Sequence, residues 1–209
     1  MSDELVFYTN PRSRGRIVRW MLEEVGQLYR TEVLDYGTSI KAPAYLAINP
    51  MGKVPALRHG DAVVTEAGAI CAYLADAFPH AGLAPPPGDR LRAPYYRWLF
   101  FAAGPIEAAV SNKNFGFVVP PERESTIGYG SFDRVMSTLE QAVSRSDYLV
   151  GDTFTEADVY CGYAIGFGLM FGTIEKRPAF ERYWRHVSAR PAFERARQID
   201  DALMAQKAG

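Results

Sequence analysis

Residues 79–89, Pro-His-Ala-Gly-Leu-Ala-Pro-Pro-Pro-Gly-Asp, cut the chain into two stretches of opposite character. Three consecutive prolines favour a stiff, extended connector and end any helix that reaches them. Before the connector the pattern mixes strand and helix. Leu5 to Tyr8 is a short apolar run ended by Thr9-Asn10-Pro11, which reads as a strand and a turn. Ile17, Met21 and Val25 recur at four-residue spacing beside Val18 and Leu22, and Gly26 follows, as expected for a helix with one buried face. Tyr29 to Leu34 alternates like a second strand. A β-α-β unit of this size implies a right-handed crossover and a parallel pair. An irregular region from Tyr36 to Gly52 precedes a hairpin, Val54 to Arg58 and Ala62 to Val64, around His59-Gly60-Asp61. Glu66 to Phe78 is a helix stopped by Pro79.

Beyond the connector no strand pattern appears. Arg90 to Val110 reads as a long aromatic helix kinked at Gly104-Pro105, and Gly130–Ser144, Glu156–Phe171 and Pro178–Ala189 read as further helices. Arg-Pro-Ala-Phe-Glu-Arg occurs at 177–182 and again at 190–195, each copy opening a helix with proline in its first turn. The expected organisation is therefore 1–78, a mixed four-stranded α/β domain of order β-α-β, an irregular stretch, then β-β-α; 79–89, a linker; and 90–209, an all-helical bundle.

Composition narrows the function classes. A formal net charge of −1 over 209 residues lacks the footprint of a general nucleic-acid binder. The two cysteines, Cys71 and Cys161, sit at neither CxxC nor zinc-ligand spacing, so a reducing compartment without disulfides is expected. Met-Ser-Asp-Glu does not open like a signal peptide, and the apolar stretch Val159–Phe171 is too short to span a bilayer. A cytoplasmic chain with no metal and no membrane partner is the expectation.

Four segments carry the chemical signal: Asn10-Pro11-Arg12-Ser13-Arg14-Gly15-Arg16, Asn49-Pro50-Met51-Gly52-Lys53-Val54-Pro55-Ala56-Leu57, Thr65-Glu66-Ala67-Gly68-Ala69-Ile70, and Gly151-Asp152-Thr153-Phe154-Thr155-Glu156-Ala157-Asp158. Together, in this order around a proline-rich linker, they resemble the glutathione transferase family, cytosolic and serine-type as in bacterial members. The resemblance implies a thioredoxin-like first domain of order β-α-β-α-β-β-α, an all-α second domain, and glutathione as co-substrate. It also implies a homodimer formed through the helices that start at Glu66 and Arg90.

Physical chemistry says why such a site wants these residues. An extended anionic peptide binds as an added strand, and Val54 before Pro55 presents the backbone for it. From residues alone Pro55 is either a trans proline opening an edge strand or a cis one; the resemblance favours cis. Glu66 and Ala67 stand at a helix start, where free N–H groups attract a carboxylate. Family members usually place serine at the Ala67 position, so one hydroxyl contact is missing. Lys41 and Lys53 are candidates for the ligand's other carboxylate, the alternative being solvated lysines. A thiol of pKa near 8.5 is only about 3% ionised at pH 7, so the chemistry needs a group that ionises it, and the resemblance implies a hydroxyl donor just after the first strand. Ser13 is the catalytic candidate, with Tyr8 and Asn10 behind it. Counted back from Glu23-Glu24, Arg12 fills the slot several serine-type members give to serine, so Ser13 is either the thiolate donor or a helix N-cap. Arg12, Arg14, Arg16 and Arg19 form either a solvated face or a field for an anion.

A second-substrate pocket is expected between the domains, from Tyr8, the Gly104-Pro105 kink and Phe115 or Phe117. Thr155 and Asp158 form a capping box of structural purpose, and Gly162, Gly166, Gly168 and Gly172 suit close helix packing. The cysteines and Trp20, Trp98 and Trp184 read as core, and His59 as an exposed turn residue. The function expected is transfer of the glutathione thiolate to small hydrophobic electrophiles. The alternatives are glutathione-dependent peroxide reduction and a non-catalytic binding or regulatory protein on the same fold.

Overall fold

The computed structural model describes residues 4–206. The first half folds as β1 (Leu5–Thr9), α1 (Gly15–Val25), β2 (Tyr29–Val33), a single 3₁₀ turn, α2 (Pro43–Leu46), β3 (Ala56–His59), β4 (Ala62–Thr65) and α3 (Ala67–Ala77). The sheet runs β2-β1-β3-β4. β1 and β2 are parallel, as the crossover requires, while β3 is antiparallel to both β1 and β4. This is the thioredoxin-like arrangement expected from the sequence.

Both sheet faces are covered because β1 alternates. Phe7 meets Tyr29 edge-on and lies under the Arg19 guanidinium of α1. Tyr8 points the other way, into a cluster of Ile40, Tyr45 and Ala56. α1 buries Ile17, Val18, Met21, Leu22 and Val25, the face that the four-residue spacing defines. It ends at Gly26, whose φ of 73° is left-handed and whose N–H reaches the Leu22 carbonyl at 3.0 Å.

The second half is helical: α4 (Arg92–Phe101), α5 (Glu107–Asn114), α6 (Phe132–Arg145), α7 (Glu156–Phe171), α8 (Pro178–Ser188) and α9 (Pro191–Gln206). Ala102–Ile106, with Pro105 inside, is a π-helical turn joining α4 to α5. A proline lacks the N–H for a regular turn, and the wider turn absorbs the defect. The capping box forms, with the Thr155 N–H donating to Asp158 Oδ2 at 2.8 Å. A Cβ at Gly168 would crowd Ile174, and one at Gly166 would overlap the Trp184 ring, so both glycines permit close packing. Gly172 has another role, the left-handed C-cap of α7 at φ 69°.

Packing divides the chain into two units, one up to Ala81 together with the residues from Arg190 on, the other Gly82–Ala189. Chain order and packing part company at α9, which lies against α1 in the sheet unit. The repeated hexapeptide explains how each unit holds its last helix. Arg177 pairs with Glu140 at 2.8 Å and Arg182 with Asp147 at 2.8 Å, gripping the end of α6. Arg190 pairs with Glu24 at 2.7 Å and Arg195 with Glu23 at 3.1 Å, gripping the end of α1 in the same way.

Two expectations are corrected. Arg19 is no solvated residue: it is 1% exposed and forms a buried ion pair with Asp200 of α9 at 3.2 Å. His59 is not an exposed turn residue but the last of β3, paired with Ala62, half-buried, with Nδ1 2.9 Å from the Tyr73 hydroxyl. The turn proper is Gly60-Asp61.

Candidate functional site

Register brings the three N-terminal motifs to one end of the sheet. Tyr8 pairs with Ala56, and Ala56 with Thr65. The loop after β1, the approach to β3 and the exit from β4 are therefore neighbours. β2 finishes at the same end, where Thr9 pairs with Val33.

The loop after β1 is organised by Asn10, which is 5% exposed. Its Nδ2 donates to the Leu34 carbonyl at 2.7 Å and its Oδ1 accepts the Arg12 N–H at 3.0 Å. Ser13 is half-buried, and its hydroxyl donates to the Asn10 carbonyl at 2.6 Å and accepts the Gly15 N–H at 2.9 Å. Ser13 thus ties the turn to the start of α1, while Arg14 occupies the cap position itself. Gly15 is required here, because a Cβ would run into the Thr9 side chain. Arg12 and Arg14 are exposed.

The approach to β3 is held by two residues to which the sequence reading gave no role. Asn49, 3% exposed, donates to the Lys53 carbonyl at 2.9 Å and accepts the Met51 N–H at 3.1 Å. The Tyr45 hydroxyl donates to the same Lys53 carbonyl at 2.5 Å. Burial pushes its pKa up to about 12, so it remains a donor at any working pH. The sequence signal for Asn49 was its place before Pro50, where an asparagine side chain commonly closes a turn on its own backbone. The Val54–Pro55 bond is cis. Val54 lies ahead of the β3 ladder, packed on the Tyr45 cluster. Lys53 is exposed, and Lys41 is drawn to the same loop, its Nζ donating to the Gly52 carbonyl at 3.3 Å.

At the exit from β4, Glu66 has φ 68° and ψ 123°, the positive-φ residue other than glycine among the described residues. Such a conformation costs about 1–3 kcal/mol and persists where the surroundings impose it. Glu66 is exposed and stands at the N-cap position of α3 without a side-chain capping hydrogen bond, while Ala67 at the first helical position is 5% exposed. The opening N–H groups of α3 lack partners within the helix, as at any helix start. The geometry thus joins a helix N-terminus, an exposed carboxylate, a strand approach and a hydroxyl loop. That set suits an extended peptide with charged ends.

The residues expected to line a second-substrate pocket do not all belong to this unit. Tyr8 is half-buried beside Tyr45, at 5.6 Å between ring centroids. Gly104, Pro105, Phe115 and Phe117 belong to the helical unit, where Phe115 and Phe117 are 73% and 66% exposed. Among the described residues no group of three or more His, Cys, Asp or Glu is placed to hold a metal. Cys71 and Cys161 are both buried. No helix among the described residues is long and apolar enough to cross a membrane.

Comparison with known proteins gives relatives for both halves of the chain. Residues 13–77 match the profile of the glutathione S-transferase N-terminal domain and residues 106–191 that of its C-terminal domain. The chain is 29% identical over 206 residues to glutathione S-transferase 3 of Zea mays, covering 91% of this chain and 92% of that protein. A glutathione transferase from Methylococcus capsulatus superposes with a TM-score of 0.78 at 30% identity, over 95% of this chain and 99% of the other. A sphingomonad glutathione S-transferase complexed with glutathione superposes at 0.77 and 26% identity, over 94% and 98%.

Proposed function

The chain belongs to the glutathione S-transferase family, and we propose that it binds glutathione at this end of the sheet and transfers its thiolate to a small hydrophobic electrophile. The observation that carries the reading is the register, which gathers the Ser13 loop, Val54–Pro55 and Glu66–Ala67 at one place. The peptide lies along Val54 as an added strand. Its γ-glutamyl end meets Glu66 and the first N–H groups of α3, the carboxylate of Glu66 taking the ammonium and the helix start taking the α-carboxylate. Lys41 and Lys53 face its glycine carboxylate.

Ser13 is the thiolate donor in this reading. Donation to sulfur exchanges one acceptor, the Asn10 carbonyl, for another by rotation of the hydroxyl. Lowering the thiol pKa by about two units raises the ionised fraction from a few per cent to roughly three-quarters. Nucleophilicity falls by about 0.4–0.5 log units per unit of pKa, which leaves a gain of only a few-fold. Holding the electrophile beside the sulfur supplies the larger part of the acceleration. Ser13→Ala tests the assignment. The bound thiol should titrate about two units higher and kcat at neutral pH should fall about two- to fourfold, with glutathione affinity little changed. Unaltered thiol titration in that variant would remove Ser13 from the mechanism.

The functional unit in this reading is a homodimer. Tyr96 and Phe100, one turn apart on α4, are 45% and 69% exposed, an apolar face suited to a second copy. Sedimentation should give twice the 23.2 kDa chain mass, and Phe100→Glu should return the monomer; a monomeric parent chain contradicts this part.

A further inference from the structure

Arg16 lies in the first turn of α1 and bonds in two directions. Its Nε donates to the Pro11 carbonyl at 2.6 Å, inside the loop that carries Ser13. Its Nη2 donates to Asp201 Oδ1 at 2.8 Å and to Met204 Sδ at 3.0 Å, both on α9. The other oxygen of Asp201 accepts from Arg197 at 2.9 Å. One guanidinium therefore joins the backbone of the loop to the last helix of the chain.

The anchor at the far end is firm. Asp200, beside Asp201, makes the buried ion pair with Arg19, and Arg190 and Arg195 hold the start of α9 to Glu24 and Glu23. At the near end, Asn10 bonds to the Leu34 carbonyl and the Arg12 N–H, Ser13 bonds to the Asn10 carbonyl and the Gly15 N–H, and the Tyr36 hydroxyl lies 3.5 Å from the Arg12 carbonyl. The Pro11 carbonyl is held from α1 by Arg16, which alone among these bonds continues to α9.

We infer that Asp201 is a positioning residue for the thiol chemistry, acting through Arg16 to fix the Pro11–Ser13 segment against α9. The inference rests on the reading that this loop ionises glutathione. Arginine is needed because its fork places two donors in fixed, diverging directions, one for the carbonyl and one for the carboxylate. A lysine has a single charged nitrogen and a flexible stem, and does not hold both. The pair is not chiefly a stability device. The Arg16 side chain is 19% exposed and that of Asp201 44%, and ion pairs so near water contribute little to folding. A small displacement of a catalytic donor is by contrast costly to rate. The structure thus separates the two effects, a small one on stability and a larger one on the sulfur.

The test is the pKa of glutathione bound to the full-length protein, read from thiolate absorbance against pH, with kcat, glutathione KM and melting temperature measured alongside. Asp201→Ala and Arg16→Lys should each raise the bound thiol pKa by about half to one unit. Glutathione KM should stay within about twofold. Arg197→Ala, which breaks the partner bond of Asp201 on α9 but leaves Arg16 in place, should match the parent. Asp201→Asn keeps an oxygen for Arg16 and should recover most of the parent thiol pKa, even if Asp201→Ala folds poorly. A parent that ionises bound glutathione and an Asp201→Ala variant that ionises it equally would overturn this inference alone. So would an Asn variant as impaired as the Ala variant, or an equal shift in Arg197→Ala. A parent that binds glutathione without ionising it would overturn the Ser13 reading, and this inference with it.

Discussion

Replacing Glu66 by glycine should make the protein more stable and a poorer binder of glutathione. Glu66 holds φ 68° and ψ 123°, a region that costs a side-chain-bearing residue about 1–3 kcal/mol. Glycine adopts it freely but gives back about 0.5–1 kcal/mol through the greater freedom of its unfolded chain. Because Glu66 is exposed, its removal sacrifices little packing. The net gain is about 0–2.5 kcal/mol, centred near 1 kcal/mol, or up to roughly 10 °C in melting temperature for a chain of this length. Binding moves the other way. Loss of a charge-assisted hydrogen bond to the ligand costs about 1.5–3 kcal/mol, a weakening of about 12- to 160-fold. Glu66→Ala separates the two causes, since it removes the carboxylate and keeps the strained backbone. It should lose affinity as the glycine variant does, with a melting temperature near the parent's. Scanning calorimetry and titration calorimetry with glutathione measure both quantities. A glycine variant that melts lower than the alanine variant would refute the strain argument. Unchanged affinity in both would refute the role of the carboxylate.

Two further outcomes follow from the same geometry. Asp158 accepts from the Leu149 N–H, the Thr155 N–H and the Tyr183 hydroxyl at 2.7–2.8 Å in a buried setting, so Asp158→Ala should cost about 3–5 kcal/mol by stranding those donors. The melting temperature should fall by about 6–20 °C, with activity per folded molecule unchanged; a specific loss of kcat would contradict its structural role. Ala67→Ser should restore one hydroxyl contact and tighten glutathione by about two- to twelvefold; an equal or weaker affinity by calorimetry would show that the site does not use this position.

Local rules made much of this fold legible. The spacing of Ile17, Met21 and Val25 defined the buried face of α1, and the Thr155–Asp158 pair marked the start of α7 to the residue. That Gly104-Pro105 interrupts regular α-helix was legible too, although the form of the interruption, a π turn, was not. What the sequence concealed depends on partners distant along the chain. Arg19 looks like one of a row of surface arginines until α9 folds back and sets Asp200 beside it. The same return gives Arg16 its carboxylate and assigns α9 to the sheet unit, which the proline-rich connector does not foretell. His59 seemed a turn residue because a two-residue hairpin and a three-residue one look alike in His-Gly-Asp; pairing with Ala62 and the bond to Tyr73 decide it. Val159–Phe171 in α7 reads as apolar throughout, yet Phe167, Met170 and Phe171 near its end are exposed, because periodicity cannot say which apolar face finds a partner. Motif order picked out Ser13, Val54, Pro55 and Glu66 as candidates, whereas the supports beneath them, Asn10, Asn49 and Tyr45, emerged only with the hydrogen bonds.

The most direct test of the central claim is a titration of the protein with glutathione at neutral pH, followed by ultraviolet thiolate absorbance, with S-methylglutathione as the thiol-free control. The account predicts a saturable thiolate signal with glutathione, and binding without that signal for the methylated peptide. Glutathione that binds without a thiolate band would leave a binding protein in place of the transferase, and no binding at millimolar peptide would contradict the site itself.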